Sequence, residues 1–250
     1  MAVNTKQIRR RYPIDLNADL GEGGVNDQAL LQMITSANIA CGGHAGDQTS
    51  MRQTVKLAKQ YNVLIGAHPS YPDRANFGRQ TMELSPNKLL DSLYGQITAL
   101  KQICDTLEVK LHHVKPHGAL YNQAADNSDL GQIIIDAIKR VDPNLKLMML
   151  AGSSLVQQAR AQGIEVIEEA FADRAYLASG ALASRRLAGA VIETPQTAMK
   201  QVENIINGQP IATLDCGSVI IKATSICLHG DNEHALAFAK LISRHLYQSA

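Results

Sequence analysis

The chain has 250 residues, 45% of them hydrophobic and 19% charged, with a formal net charge of +1. That balance is the profile of a globular protein and argues against a nucleic-acid partner, which would demand clustered Lys and Arg. No apolar run reaches the roughly 18 residues of a membrane span, and the start "MAVNTKQIRRR" lacks the apolar centre of an export signal. Four cysteines with no CxxC pair read as reduced, mostly buried thiols, so the expected setting is cytoplasmic, without a membrane partner.

Residues 1–12, which include Arg9-Arg10-Arg11, read as a basic, solvated tail. After them one pattern recurs: a short apolar run, a loop rich in Gly, His or Asp, then an amphipathic stretch. The apolar runs are "IDLNADL" (14–20), "ANIACG" (37–42), "VLIGAH" (63–68), "LHHVKPH" (111–117), "KLMMLAG" (146–152), "EVIEEAF" (165–171) and "SICLHGD" (225–231), giving seven candidate strands. Helical patterns fall between them. Met51, Val55 and Ala58 stripe residues 51–61, and residues 86–107 are entered through Ser85 and Pro86. Ser154-Leu155-Val156-Gln157 fits a capping box, Thr194-Pro195 opens another helix, and 232–247 closes the chain as an amphipathic one. Residues 208–223 interrupt the rhythm as a β-hairpin excursion, with Asp215-Cys216-Gly217 near its turn. No linker divides the chain, so 1–250 reads as one domain.

Strands alternating with helices indicate a parallel sheet. An open doubly wound sheet collects its ligand groups at a switch point of strand order, whereas a barrel collects loops from all its strands at one mouth. Polar residues follow six of the seven runs, and that spread favours a barrel. Alternation then sorts the side chains. Asp15, Asn17 and Asp19 share one face of the first run, and His113, Lys115 and His117 one face of the fourth. His68 aligns with Leu64 and Gly66, and Ser225 with Cys227, His229 and Asp231. Barrel interiors are usually filled by branched apolar residues, and a buried unpaired carboxylate is costly, so these faces imply a polar lumen or a ligand.

Singly, each residue has a plain structural explanation. Asp47 and Asp231 can cap helices, Gly42, Gly43 and Gly46 can form turns, and Cys41 and Cys227 can be packing residues. The sum resists that explanation. Four of the eight histidines (His44, His68, His117, His229) close candidate strands, and Asp19, Glu22, Asp47, Asp173 and Asp231 follow such ends. In a parallel barrel all of them reach one face. Carboxylates beside neutral imidazoles activate water or hold a divalent metal. No HExxH or other compact metal motif is present, and no GxxxxGK[ST] or GxGxxG loop, although "CGGHAG" before a helix suits an anion.

The stretches "DLNADLGEG" (15–23), "NIACGGHAGD" (38–47), "GAHPSYPDRANFGRQ" (66–80), "VKPHGALYN" (114–122), "EEAFADRAY" (168–176) and "CLHGD" (227–231) run in order along nearly the whole chain. In this combination the chain resembles the LamB/YcsF family. The resemblance implies a seven-stranded, TIM-like β/α barrel of the glycoside hydrolase/deacetylase type. It also implies ATP-dependent hydrolytic ring opening of 5-oxo-L-proline to L-glutamate by one subunit working with two partner subunits. ATP would be the co-substrate, accompanied by Mg²⁺, with no organic prosthetic group. Across the matching motifs, Asp19, His44, His68, Lys115, His117 and His229 are the implied catalytic residues. Asp15, Asn17, Glu22, Gly43, Asp47, Arg74, Arg79, Tyr121, Asn122, Glu169, Asp173, Arg174 and Asp231 are the implied substrate- or ATP-binding ones.

On this resemblance Lys115 and Arg174 would neutralise phosphate or the substrate carboxylate, and Asp19 or His44 would activate water. His117 and His229 would donate a proton or a hydrogen bond. Glu22, Asp47 and Asp231 would orient these groups or bind Mg²⁺ with the nucleotide. Two departures stand out. Gly43 replaces a bulky aromatic, implying a looser pocket, and Gln80 replaces a frequent second arginine, implying a weaker anion contact. Two alternatives remain at this level: a metal-dependent amide or ester hydrolase of a carbohydrate derivative, and a non-catalytic subunit that binds 5-oxoproline or nucleotide for a partner.

Overall fold

Seven short parallel strands close into one barrel, with helices packed around it. The computed structural model of the chain describes residues 9–10, 12–228 and 235–248. In chain order the elements are β1 (Arg9–Arg10), β2 (Asp15–Leu20), α1 (Asp27–Leu31), β3 (Ser36–Ala40), α2 (Gln48–Tyr61), β4 (Leu64–His68), α3 (Pro86–Thr106), β5 (Leu111–Val114), α4 (Gly118–Ala124) and α5 (Ser128–Val141). They continue with β6 (Lys146–Leu150), α6 (Ser154–Ala161), β7 (Val166–Phe171), α7 (Pro195–Ile206), β8 (Ile211–Ala212), β9 (Ser218–Val219), β10 (Ser225–Leu228), α8 (Ala235–Leu246) and β11 (Tyr247–Gln248). The barrel order is β10-β2-β3-β4-β5-β6-β7, and β10 closes it onto β2 in parallel, Ser225 opposite Asp15 and Cys227 opposite Asn17. All seven expected strands are present, and this is the expected TIM-like architecture.

The strand faces separate two environments. Leu16, Ala18 and Leu20 of β2 point outward and are fully buried in the shell between strands and helices. That shell takes Leu89, Leu93, Ile97 and Leu100 from α3 and Ile134, Ile135 and Ile138 from α5. The other face of each strand turns into the lumen.

Several helix starts have local causes. Asp47 opens α2 with a capping box: its carboxylate accepts from the Ser50 N–H and its own N–H donates to Ser50 Oγ, both at 2.8 Å. Thr194 caps α7 by accepting from the Thr197 N–H, and α3 starts on Pro86 without a side-chain cap bond. The capping box expected at Ser154 does not form. Ser153 occupies the cap position, and Ser154 instead donates to the Ala125 carbonyl at 2.8 Å, tying α6 to the end of α4. Helices α1, α4 and α5 come in addition to the expected ones.

Residues 208–223 hold the antiparallel pair β8–β9. Arg9 and Arg10, expected in a solvated tail, are backbone-paired antiparallel with Gln248 and Tyr247. Cys41, Cys104 and Cys227 are buried, Cys216 is exposed, and all four are free. Among the described residues no helix is long and apolar enough to cross a membrane.

Candidate active site

Three polar levels fill the lumen. At the lowest, the Asp15 carboxylate accepts from Thr35 Oγ1, from Ser36 Oγ at 2.6 Å and from Ser225 Oγ at 2.6 Å. At the middle level the Asn38 amide donates to Asn17 Oδ1 and Asp19 Oδ1, each at 2.8 Å, and its own oxygen accepts from His113 Nε2 at 2.7 Å. Gly66 makes room for that imidazole, since a Cβ at position 66 would lie 2.1 Å from His113 Nε2. Burial first, then the charges of His112 and Lys115, hold His113 well below the usual histidine range, so it is neutral.

The upper level is ionic. Lys115 Nζ sits 2.9 Å from Asp19 Oδ1, 2.7 Å from Glu169 Oε1 and 3.2 Å from Cys227 Sγ. Glu169 Oε2 accepts from the Tyr121 hydroxyl at 2.7 Å. Burial is the largest influence on Lys115 and opposes its charge. Asp19, Cys227 and Glu169 together reverse that and raise its pKa well above the ordinary lysine value. The ammonium therefore stays charged in a buried place, held by two carboxylates.

Above this level four loops converge. His68 ends β4, His117 follows Pro116 after β5, His44 stands in the turn after β3, and Glu22 in the turn after β2. Gly46 allows the His44 turn: its φ is +80°, and a Cβ there would lie 2.6 Å from the Ala40 carbonyl oxygen. Glu22 Oε1 is 2.9 Å from His44 Nε2, 3.5 Å from His117 Nδ1 and 3.9 Å from His68 Nε2. His68 Nε2 is 3.0 Å from His117 Nδ1 and 3.3 Å from Asp19 Oδ2. The His44 and His117 rings stack at 3.6 Å and 6°, with Phe77 edge-on to both. Burial lowers the pKa of His44, and burial together with His68 and His44 lowers that of His117 further. At His68 burial pulls downward too, but Asp19 outweighs it and the pKa ends above the usual value.

A cavity of about 690 Å³ opens over these groups. Its floor includes Asp19, Glu22, His68, Lys115 and His117, and Leu150 and Phe171 form an apolar wall. The exposed Arg79, Arg185 and Arg186 make its rim basic, and the buried Arg174 adds a fourth guanidinium to the lining. Burial, then the neighbouring Arg185, brings the Arg174 guanidinium down to about 10, still charged at neutral pH. Such a chamber can hold a small anionic molecule against a base, an ammonium and a group of imidazoles.

The residues expected at the site divide into three groups. Asp19, Glu22, His68, Arg79, Lys115, His117, Tyr121, Asn122 and Arg174 line the cavity, and His44 backs it through Glu22 and the ring stack. Asp15, Asn17 and Glu169 lie deeper in the lumen, and Asp173 is buried with its carbonyl accepting from the Ile192 N–H. The third group lies elsewhere. Asp47 is exposed and engaged in capping α2. Arg74 is exposed and braces the His44 turn by donating to the Gly42 and Gly46 carbonyls at 3.2 and 2.8 Å. Gly43 does not widen the pocket: a Cβ there would lie 2.4 Å from both Gln96 Oε1 and Ser70 Oγ. Gln96, bonded to the Ser70 backbone through both amide atoms, occupies the space an aromatic at position 43 would need. His229 and Asp231 lie outside the described residues. Gln80 lines the cavity, where its amide donates to Asn76.

Magnesium on Glu22 and Asp47 does not fit this arrangement, because Asp47 is turned away and the donors nearest Glu22 are imidazole nitrogens, which a hard cation avoids. Sequence reasoning missed Asn38, Arg185 and Arg186, and it took Cys227 for a packing residue although its sulfur faces Lys115. The adjacent arginines in a loop after β7 were an available signal.

The LamB/YcsF family model matches residues 14–250. A protein of Histophilus somni (strain 129Pt), named as the A subunit of 5-oxoprolinase, is 50% identical over 233 residues, covering 93% of this chain and 94% of the relative. One of the same name from Haemophilus influenzae (strain PittEE) is 48% identical over 233 residues, covering 93% and 95%. Among solved structures, the lactam utilization protein of Thermus thermophilus superposes with a TM-score of 0.85 at 37% identity, covering 92% of this chain and 94% of that one. With near-complete matches in sequence and fold alike, the chain belongs to the LamB/YcsF family.

Proposed function

We propose that this chain is the A subunit of a 5-oxoprolinase and carries the water-attack half of an ATP-dependent opening of 5-oxo-L-proline to L-glutamate, acting with two partner subunits. The observation that carries this reading is the charged Lys115 clamped between Asp19 and Glu169 on the floor of a chamber with a basic rim. The names of the relatives support the same role.

A five-membered lactam resists hydrolysis because its amide is resonance-stabilised and its ring recloses readily. Phosphorylation of the amide oxygen at the expense of ATP removes that resonance and makes the carbon electrophilic. Water then attacks that carbon. Asp19 takes a proton from the water and returns it to the ring nitrogen as the C–N bond breaks, leaving an acyl phosphate that a second water hydrolyses to glutamate and inorganic phosphate. Lys115 stabilises the negative charge that builds on oxygen, and the four arginines accommodate phosphate or the substrate carboxylate. Leu150 and Phe171 cover the ring methylenes.

The test is glutamate release from 5-oxoproline with ATP by the purified chain, with and without the partner subunits. Release that requires this chain and disappears in Asp19→Asn is expected; full activity of Asp19→Asn removes that residue from the chemistry. A second reading, a metal-dependent hydrolase of a carbohydrate amide, draws on the Glu22–His68–His117 group and predicts turnover without ATP.

A further inference from the structure

We infer that Glu22, His68 and His117 bind a single divalent transition-metal ion of the zinc class at the barrel mouth. The site lies in the chamber assigned above to lactam chemistry, but it stands on donor geometry alone. A backbone carbonyl can only accept a hydrogen bond. His68 Nδ1 is 2.7 Å from the Lys115 carbonyl oxygen and His117 Nε2 is 3.0 Å from the Phe77 carbonyl oxygen, so both nitrogens carry hydrogen. In the neutral rings the remaining nitrogens are lone-pair donors, and they face each other at 3.0 Å. Glu22 Oε1, an acceptor only when ionised, stands 3.5 Å from one and 3.9 Å from the other. With both rings neutral, three electron-pair donors converge on one point, and an ion there takes the place of a proton on His68 Nε2.

A triangle with those three edges has a circumradius of about 2.0 Å, so one interior point lies at a zinc-to-nitrogen or zinc-to-carboxylate bond length from all three atoms. Metal-bound histidines ordinarily donate their far N–H to a carbonyl or carboxylate, as both rings do here. Two imidazoles and one carboxylate select an ion softer than magnesium or calcium. An ion so placed, with its open side toward the cavity, would supply Lewis acidity to water or a carbonyl oxygen.

His44 belongs to the group but not to the ligands. Its ring lies 3.6 Å from that of His117 and within 6° of parallel. An ion in the plane of the His117 ring is therefore far out of the His44 plane, where no lone pair points. His44 Nε2 instead donates to Glu22 Oε1 at 2.9 Å, and a carboxylate oxygen keeps a second lone pair for the ion. His44 is a positioning residue.

The full-length chain, stripped with a chelator, is titrated with Zn²⁺ by calorimetry and with Co²⁺ by visible absorption. One ion per chain is expected, with cobalt ligand-field bands. His117→Ala and Glu22→Gln should weaken Zn²⁺ binding by more than about 100-fold, and His44→Ala by about 10–100-fold. Zn²⁺ should raise the Tm of the wild-type chain and leave that of a folded His117→Ala chain unmoved. If His117→Ala does not fold, Glu22→Gln, on a partly exposed turn, carries the same comparison. Absence of saturable binding by the wild-type chain, or equal binding by the ligand variants, overturns the site. Equal losses in His44→Ala and His117→Ala overturn the positioning role. The two proposals fail separately: ring opening by a chain that binds neither ion removes the metal and keeps the lactam reading, and ion binding without ring opening does the reverse.

Discussion

Strands β2 and β6 face each other across the barrel, with three strands between them one way and two the other. β2 turns Asp15, Asn17 and Asp19 inward, and each meets a partner at its own level. β6 turns Met148 and Leu150 inward, both buried, with Leu150 in the cavity wall. The lumen is thus polar along β2 and apolar along β6. Partners along β2 offset the cost of burying polar groups. Lys115 and Asp19 are themselves nearly buried, and in that low-dielectric setting their charges act more strongly on a bound molecule.

Substitutions on the two walls test this contrast. Lys115→Met should have the largest effect, because it strands two buried carboxylates. Loss of about 3–5 kcal/mol in urea unfolding is expected, together with loss of turnover. Adding Glu169→Gln should recover part of the stability and none of the activity. Asp19→Asn keeps an acceptor for Lys115 but not a base, so turnover should fall about 10²–10⁴-fold in the coupled glutamate assay while the fold persists. Next comes a matched pair. Asn17→Leu on β2 should cost about 1–3 kcal/mol by stranding one hydrogen of the Asn38 amide, whereas Met148→Leu on β6 should cost less than about 1.5 kcal/mol and leave kcat unchanged. Equal costs for the pair would mean that the walls are not chemically distinct. Asp47→Ala, away from both, should be the mildest, with a small fall in Tm from the lost cap and unaltered ring opening.

The barrel was legible because alternation is local. Each strand announces itself within a few residues, and the parity of "IDLNADL" and "LHHVKPH" is enough to place Asp19 and Lys115 in the lumen. What stayed hidden is set by distant partners. Nothing near Gly43 reveals that Gln96 fills its space, and nothing near His117 reveals that the Phe77 carbonyl fixes its tautomer. Asp47 shows the ambiguity of a short motif. The same aspartate after a glycine-rich turn suits a ligand or a helix cap, and the position of Ser50 decided for the cap.

The packing of Phe77 against His44 and His117 joins the segments that follow β3, β4 and β5 into one rigid arc. Residues 181–186 form a second arc of the cavity lining, tied down by the Ala183 N–H donating to the Ala175 carbonyl. Arg185 and Arg186 lie on that arc, so an incoming anion would meet positive charge before it meets the floor.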